Sequence, residues 1–264
     1  MEQRGSITSR QNDRIREAKQ LQQRKFRDQR GLFYLEGVRV VEEALATSLV
    51  ETLFFTSRLT DTQRGAKLVE RAREQGIATF HCREDVLAEL TDTVQSQGVV
   101  AVVKKPSWTP FCNGLMLIAD EIQDPGNMGT LLRTAVGAGV RGLLVVEGSV
   151  DLYNPKVLRS SMGAIFHLPH WLTTRREILE LIRDNQGTLV IADLVNSENY
   201  WDVEYPKNLA LVIGNEARGV HRDFREQGPL RIQIPLVGPV ESLNASVAAG
   251  VLLYEILRQQ KFAH

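Results

Sequence analysis

Long apolar runs, cysteine clusters, net charge and the usual glycine fingerprints of nucleotide binding are all missing from this chain of 264 residues. No apolar stretch approaches the ~20 residues that cross a bilayer, which excludes a transmembrane helix. Cys82 and Cys112 lie far apart, without metal-ligand spacing or a disulfide pattern, and the five histidines form no zinc motif. The glycines fit neither GxGxxG nor a phosphate loop ending in GK[ST], so those nucleotide-binding modes are not supported. The polar, basic start gives the expectation that no secretory leader precedes the fold and that the protein is cytoplasmic, with no membrane partner. What is present suffices for a core: 43% of the residues are hydrophobic, enough for one large or two ordinary domains.

Charge balances overall but not locally. Residues 1–31 hold nine Arg and Lys against four Asp and Glu, so at zero net charge the remainder carries an acidic excess of five. The basic residues recur along an expected helix opened by Thr8 or Ser9. Such an arm reads either as a phosphate-contacting element or as a solvated face.

Beyond the arm, strands and helices alternate. Strands are expected at 32–37, 50–56, 77–82 and 99–105, with helices at 38–47, 60–75 and 83–90, which makes 32–105 a small α/β domain. It shows no catalytic constellation and reads as a binding module. Two prolines in KKPSWTPF mark a linker at 106–111. A second α/β domain, 112–264, has short continuous apolar strands at 115–121, 142–148, 164–170, 188–194, 209–216 and 231–236. Helices are expected around Arg133, then at 155–162, 174–186 and 244–262. Continuous apolar strands suit a parallel sheet covered on both faces, which binds ligands at its carboxyl ends.

Unusual residues collect at those ends. Asp124-Pro125-Gly126-Asn127 follows the first strand of this domain, Gly214 to Gly219 another, and Ile234 to Gly238 a third, leading through PVESLNAS into the last helix. Arg133 sits at the edge of an apolar helical stripe with Gly129 and Gly137 one turn away on either side. Each helical glycine costs about 1 kcal/mol relative to alanine, so room beside the arginine is the expected return.

These segments resemble the signature motifs of the SpoU/TrmH family of RNA ribose methyltransferases, a branch of the SPOUT superfamily. DPGNMGTLLRTAVGAG matches the first with Asn127 and Arg133, and LVIGNEARGV the second with Gly214 and Glu216. IPLVGPVESLNASVAAGVLLYEI matches the third with Ser242, Leu243, Asn244 and Ser246. NPKVLRSSMGAIFHLP, with Lys156, Arg159, Ser160, Gly163 and Ala164, resembles a further family segment. Leu236, Ala245 and Val220 are apolar departures from commoner residues.

The resemblance implies a C-terminal trefoil-knot methyltransferase domain, preceded by a small α/β RNA-binding domain resembling a ribosomal protein. It implies S-adenosylmethionine as cofactor, lined by Gly214, Ile234, Leu236 and Leu243, and a homodimer. It implies catalytic roles for Arg133, Asn127, Glu216, Asn244 and Ser242. A charged Arg133 would stabilise the ribose oxygen as it takes the methyl group. Glu216 would orient Arg133 or fix its own loop. Asn127 would bond the ribose or fix its turn, and Ser242 and Asn244 would contact ligands or cap the last helix. Large-subunit ribosomal RNA is the expected substrate, with transfer RNA and a non-catalytic ribosome assembly factor as alternatives.

Overall fold

The computed structural model describes residues 6–91, 93 and 95–262; residues 1–5 of the basic arm and the last two residues lie outside them. The chain folds into two compact units, one of Met1–Ser107 with Asp151–Phe166, the other of Trp108–Val150 with His167–His264.

The first unit opens with helices α1 (Asp13–Gln20) and α2 (Arg24–Arg30). Asn12, rather than Thr8 or Ser9, caps α1 by accepting from the Arg14 amide at 3.0 Å. The basic segment is not a free arm. Ile15, Ala18 and Leu21 are buried against Phe54, Phe80 and Leu87, and the Ile7 amide bonds the His81 carbonyl at 2.8 Å. Then follow β1 (Leu32–Glu36), α3 (Val38–Leu45), β2 (Val50–Phe55), α4 (Ser57–Thr60), α5 (Gln63–Glu74), β3 (Ala78–His81), α6 (Glu84–Leu87) and β4 (Val99–Lys104). The sheet runs β1-β4-β2-β3, antiparallel except for β2 with β3.

The second unit begins with β5 (Leu115–Ala119), α7 (Pro125–Gly137) and β6 (Gly142–Val146). The chain then returns to the first unit with α8 (Pro155–Ser161), inside the segment expected to belong wholly to the second domain. Buried side chains hold it there. Arg27 donates to Asp151 Oδ2 through Nε at 3.1 Å and Nη2 at 2.5 Å, and through Nη1 to the carbonyls of Leu21 and Gln22 at 2.8 Å. Phe33 packs on Tyr153 and Phe166. Arg159 approaches Glu36 at 4.0 Å.

Residues 164–170, expected as a strand, form a 3-10 turn at Ala164–Phe166, and the strand β7 starts only at His170 (His170–Thr173). Met162 and Gly163 have left-handed backbone, and Pro169 cannot donate to a ladder, so the chain turns where the apolar pattern suggested extension. After β7 come α9 (Arg175–Asp184), β8 (Thr188–Ala192), β9 (Glu198–Asn199), β10 (Leu209–Ile213), α10 (Arg222–Gln227), β11 (Leu230–Gln233) and α11 (Ala245–Phe262).

All seven strands of this unit are parallel, in the order β7-β6-β5-β10-β8-β11-β9. β5, β6 and β10 are buried along their whole length, as their continuous apolar sequences require. On α11, Ala245, Ala249, Leu252, Leu253 and Ile256 form the buried stripe, which packs against α7. No described helix is long and apolar enough to cross a membrane.

Candidate functional site

β10 and β11 both end earlier than their sequences suggested, and the residues released make the site. After β10, Gly214 is forced by a close backbone approach. A Cβ there would stand 2.3 Å from the Gly219 carbonyl carbon and the Val220 nitrogen. Asn215 and Gly219 exchange backbone hydrogen bonds at 3.1 and 2.9 Å. The Asn215 side chain accepts from the amides of Ala217 and Arg218, both at 3.0 Å, and donates to the Glu121 carbonyl at 2.8 Å. Asn215 was not singled out from sequence, although Asn before a glycine-closed turn is the available signal.

This pinned turn presents Glu216 to the start of α7. The carboxylate accepts from the Gln123 and Asp124 amides, each at 3.2 Å, and from Asn127 Nδ2 at 2.9 Å. Desolvation pushes its pKa up, but the Asn127 amide and the nearby backbone N–H groups outweigh it and hold the carboxyl below its ordinary value. Asp124 caps α7, accepting from the Asn127 amide at 2.8 Å.

A carboxylate can only accept, so it fixes which way the Asn127 amide points. The Asn127 carbonyl oxygen then accepts from Asn244 Nδ2 at 2.7 Å. Asn244 Oδ1 caps α11, accepting from the Ser246 and Val247 amides at 3.0 and 3.3 Å and from Ser246 Oγ at 2.7 Å. The chain Glu216–Asn127–Asn244–Ser246 thus joins all three strand-end clusters.

Arg133 is exposed and makes no hydrogen bond or ion pair among the described residues. Glu216 therefore does not orient it, since that carboxylate is occupied by amides. Of the flanking glycines, Gly129 is buried and Gly137 is exposed, and a Cβ on Gly137 would lie 3.2 Å from Tyr254 Oη of α11. Ser242 is exposed with no partner among the described residues, and the cap falls to Asn244.

Beyond β11, residues 234–243 form no regular structure. Ile234 and Leu236 are half-buried, Leu243 is 37% exposed, and Val237 is fully exposed. Among the described residues, one backbone hydrogen bond lies within this loop, from the Val240 amide to the Gly238 carbonyl at 2.9 Å. Gly214 follows the carboxyl end of β10, and Ile234, Leu236 and Leu243 follow that of β11, the two strands that flank β8 in the parallel sheet. Half-buried aliphatic surface and unused backbone amides and carbonyls are a donor set suited to an adenosyl group.

A charged cluster missed from sequence lies beside the turn. Buried Asp120 accepts from Arg175 Nε at 2.9 Å and from the His221 amide at 2.7 Å. Glu121, held at a positive φ of 56°, accepts from Arg175 and, at 2.5 Å, from Arg218 Nη2. The Arg175 hydrogen bond is the main reason its carboxyl sits below the ordinary range. Among the described residues, no group of side chains could hold a metal ion.

Residues 114–254 match the model of the SpoU rRNA Methylase family, and residues 12–101 match the MRM3-like substrate binding domain. The chain is similar to the 23S rRNA (guanosine(2553)-2′-O)-methyltransferase RlmP of Bacillus subtilis, at 32% identity over 95% of this chain and 98% of that one. Among solved structures, it resembles the SpoU methyltransferase AviRb from Streptomyces viridochromogenes in complex with the cofactor AdoMet. That match has a TM-score of 0.84 and 29% identity, over 96% of this chain and 100% of the other. A structure concerned with 2′-OH methylation of C/U34 on tRNA matches 99% of its own length but 57% of this chain, at 26% identity and a TM-score of 0.52.

Proposed function

The chain belongs to the SpoU rRNA methylase family, and from that premise we propose that it transfers a methyl group from S-adenosylmethionine to a ribose 2′-hydroxyl of large-subunit ribosomal RNA. The observation that carries this reading is the relay Glu216–Asn127–Asn244, which fixes two amides beside α7 while Arg133 on the same helix stays exposed and unpaired. Loop 234–243 and Gly214 would hold the cofactor, by aliphatic cover and by main-chain groups with no protein partner.

When bound, S-adenosylmethionine supplies an electrophilic methyl group on a sulfonium. Arg133 brings a guanidinium cation with several N–H donors. It donates to the 2′-oxygen and stabilises the negative charge that grows there, and the hydroxyl proton leaves to water. Asn127 and Asn244 each spend one N–H on the relay and keep the other for the ribose or its phosphate. Glu216 is a positioning residue that acts through Asn127. Ser242 stands exposed at the ligand side of the loop, free to bond substrate.

Ribosomal RNA is preferred over transfer RNA because of the first unit. It carries the matched substrate-binding region, and the resemblance to RlmP covers 95% of this chain, whereas that to the tRNA-related structure covers little more than half of it. The reading includes a homodimer and a trefoil knot. Exposed Val240, Leu243, Val247 and Tyr254 support the first, and the match to the SpoU family and its solved structures supports the second.

Transfer of radiolabelled methyl to unmodified ribosomal RNA and, separately, to transfer RNA tests the assignment. Label in a 2′-O-methyl nucleoside from ribosomal RNA is the expected result. Label in transfer RNA alone would replace the substrate. Cofactor binding without transfer to either RNA would support the assembly-factor reading.

A further inference from the structure

We propose that Arg218 is a phosphate-binding residue for the RNA strand that carries the target ribose, and that its contact with Glu121 is a resting position it leaves when RNA binds; this rests on the RNA methyltransferase reading above. The five-residue turn 215–219 carries two side chains that meet the segment after β5. Glu216 holds Gln123, Asp124 and Asn127, while Arg218 reaches Glu121 with its side chain 70% exposed. The Asn215 side chain fixes the backbone amide of Arg218 itself at 3.0 Å, so the arginine is anchored at its root and free at its tip.

Its tip is lightly held. Of the donor groups on the guanidinium, only Nη2 has a protein partner among the described residues, the Glu121 Oε2 at 2.5 Å. Once Nη2 leaves Glu121, the Nε and Nη2 edge is open to a bidentate acceptor, the geometry that phosphate oxygens offer. An ion pair this exposed is weak. Glu121 does not depend on it, because Arg175 bonds its other oxygen and also bridges to buried Asp120. Withdrawing Arg218 therefore leaves no buried charge unpaired.

The location gives the contact a purpose. The second unit contributes to the overall acidic excess outside residues 1–31, so cations beside the reacting ribose must be supplied locally. Arg133 is committed to the hydroxyl. Arg218, on a turn pinned to the same relay, supplies a separate cation for the backbone, where it positions the strand and reads no sequence.

The test uses the full chain with S-adenosylmethionine and in vitro transcribed, unmodified large-subunit ribosomal RNA, comparing wild type with Arg218→Gln and Arg218→Lys. Arg218→Gln is expected to raise KM for RNA about tenfold, with a much smaller change in kcat, and to reduce the salt dependence of RNA binding by about one phosphate contact. Arg218→Lys should recover much of the affinity. Cofactor affinity by calorimetry and the melting temperature should stay at wild-type values. A fall in kcat or in cofactor affinity with KM and salt slope unchanged would overturn the inference and make Arg218 a scaffold pin for the turn. Wild-type values for every parameter in Arg218→Gln would overturn it too. Failure of the wild type itself to methylate RNA would instead overturn the methyltransferase reading.

Discussion

The ends of β10 and β11 show two opposite solutions to the same problem. Both strands stop in the second unit's sheet and release a segment with glycine and polar groups. The turn after β10 satisfies itself: Asn215 bonds three backbone groups, Gly214 allows an approach no side chain would permit, and Glu216 accepts three hydrogen bonds. The loop after β11 does not, having one internal backbone bond and aliphatic side chains half in solvent. A segment that meets its own hydrogen-bonding needs can hold catalytic groups in place, and one that leaves them unmet is suited to be completed by a ligand.

The largest expected effect separates both segments from the chemistry. Arg133→Ala should lower methyl transfer by about 10²–10³ or more, the loss typical of a removed charge-stabilising donor, while calorimetric cofactor affinity stays within a few-fold. Lost cofactor binding would break the division between α7 and the loop. Next, Gly214→Ala should destabilise the protein by about 1–3 kcal/mol, because the new methyl meets backbone that has no freedom to retreat. Gly238→Ala should leave the melting temperature unchanged, since nothing lies within 4 Å of its would-be Cβ. Equal effects from the two glycines would erase the contrast.

Asn244→Ala should cost about 1 kcal/mol in thermal melting, for the lost cap, and should also reduce transfer by unfixing Asn127. Ser242→Ala, at a side chain without partners, should leave the melting temperature alone. The smallest effect concerns acid. Glu216 has a folded pKa below its ordinary value of 4.5, so its stabilisation is complete above that pH and is lost as the pH falls through the lower folded value. Glu216→Gln should flatten that part of an acid-unfolding curve below pH 4.5 and leave the curve near neutrality with the same slope.

Much of this was legible in one dimension. Alternating apolar runs located nine of the strands well enough to put Asn127, Gly214, Ile234 and Asn244 at strand ends or a helix start, and the motif order carried the family. The same reasoning misjudged Arg27, a basic residue that is buried and makes four hydrogen bonds, because local charge says nothing about a partner 124 residues away. It also extended 164–170 as a strand, since an apolar run reports burial and not backbone direction.

The sequence by itself determined which residues face a core and where the chain must stop being regular, because periodicity, proline and glycine act over a few residues. Tertiary structure decided which polar groups meet. Glu216 finds Asn127 at a separation of 89 residues, and Asn127 finds Asn244 at 117. It also assigned residues 151–166 to the first unit, and left Arg133 without the carboxylate that sequence had offered it. Hydrogen bonds are short and directional, so partner choice waits until distant segments have packed.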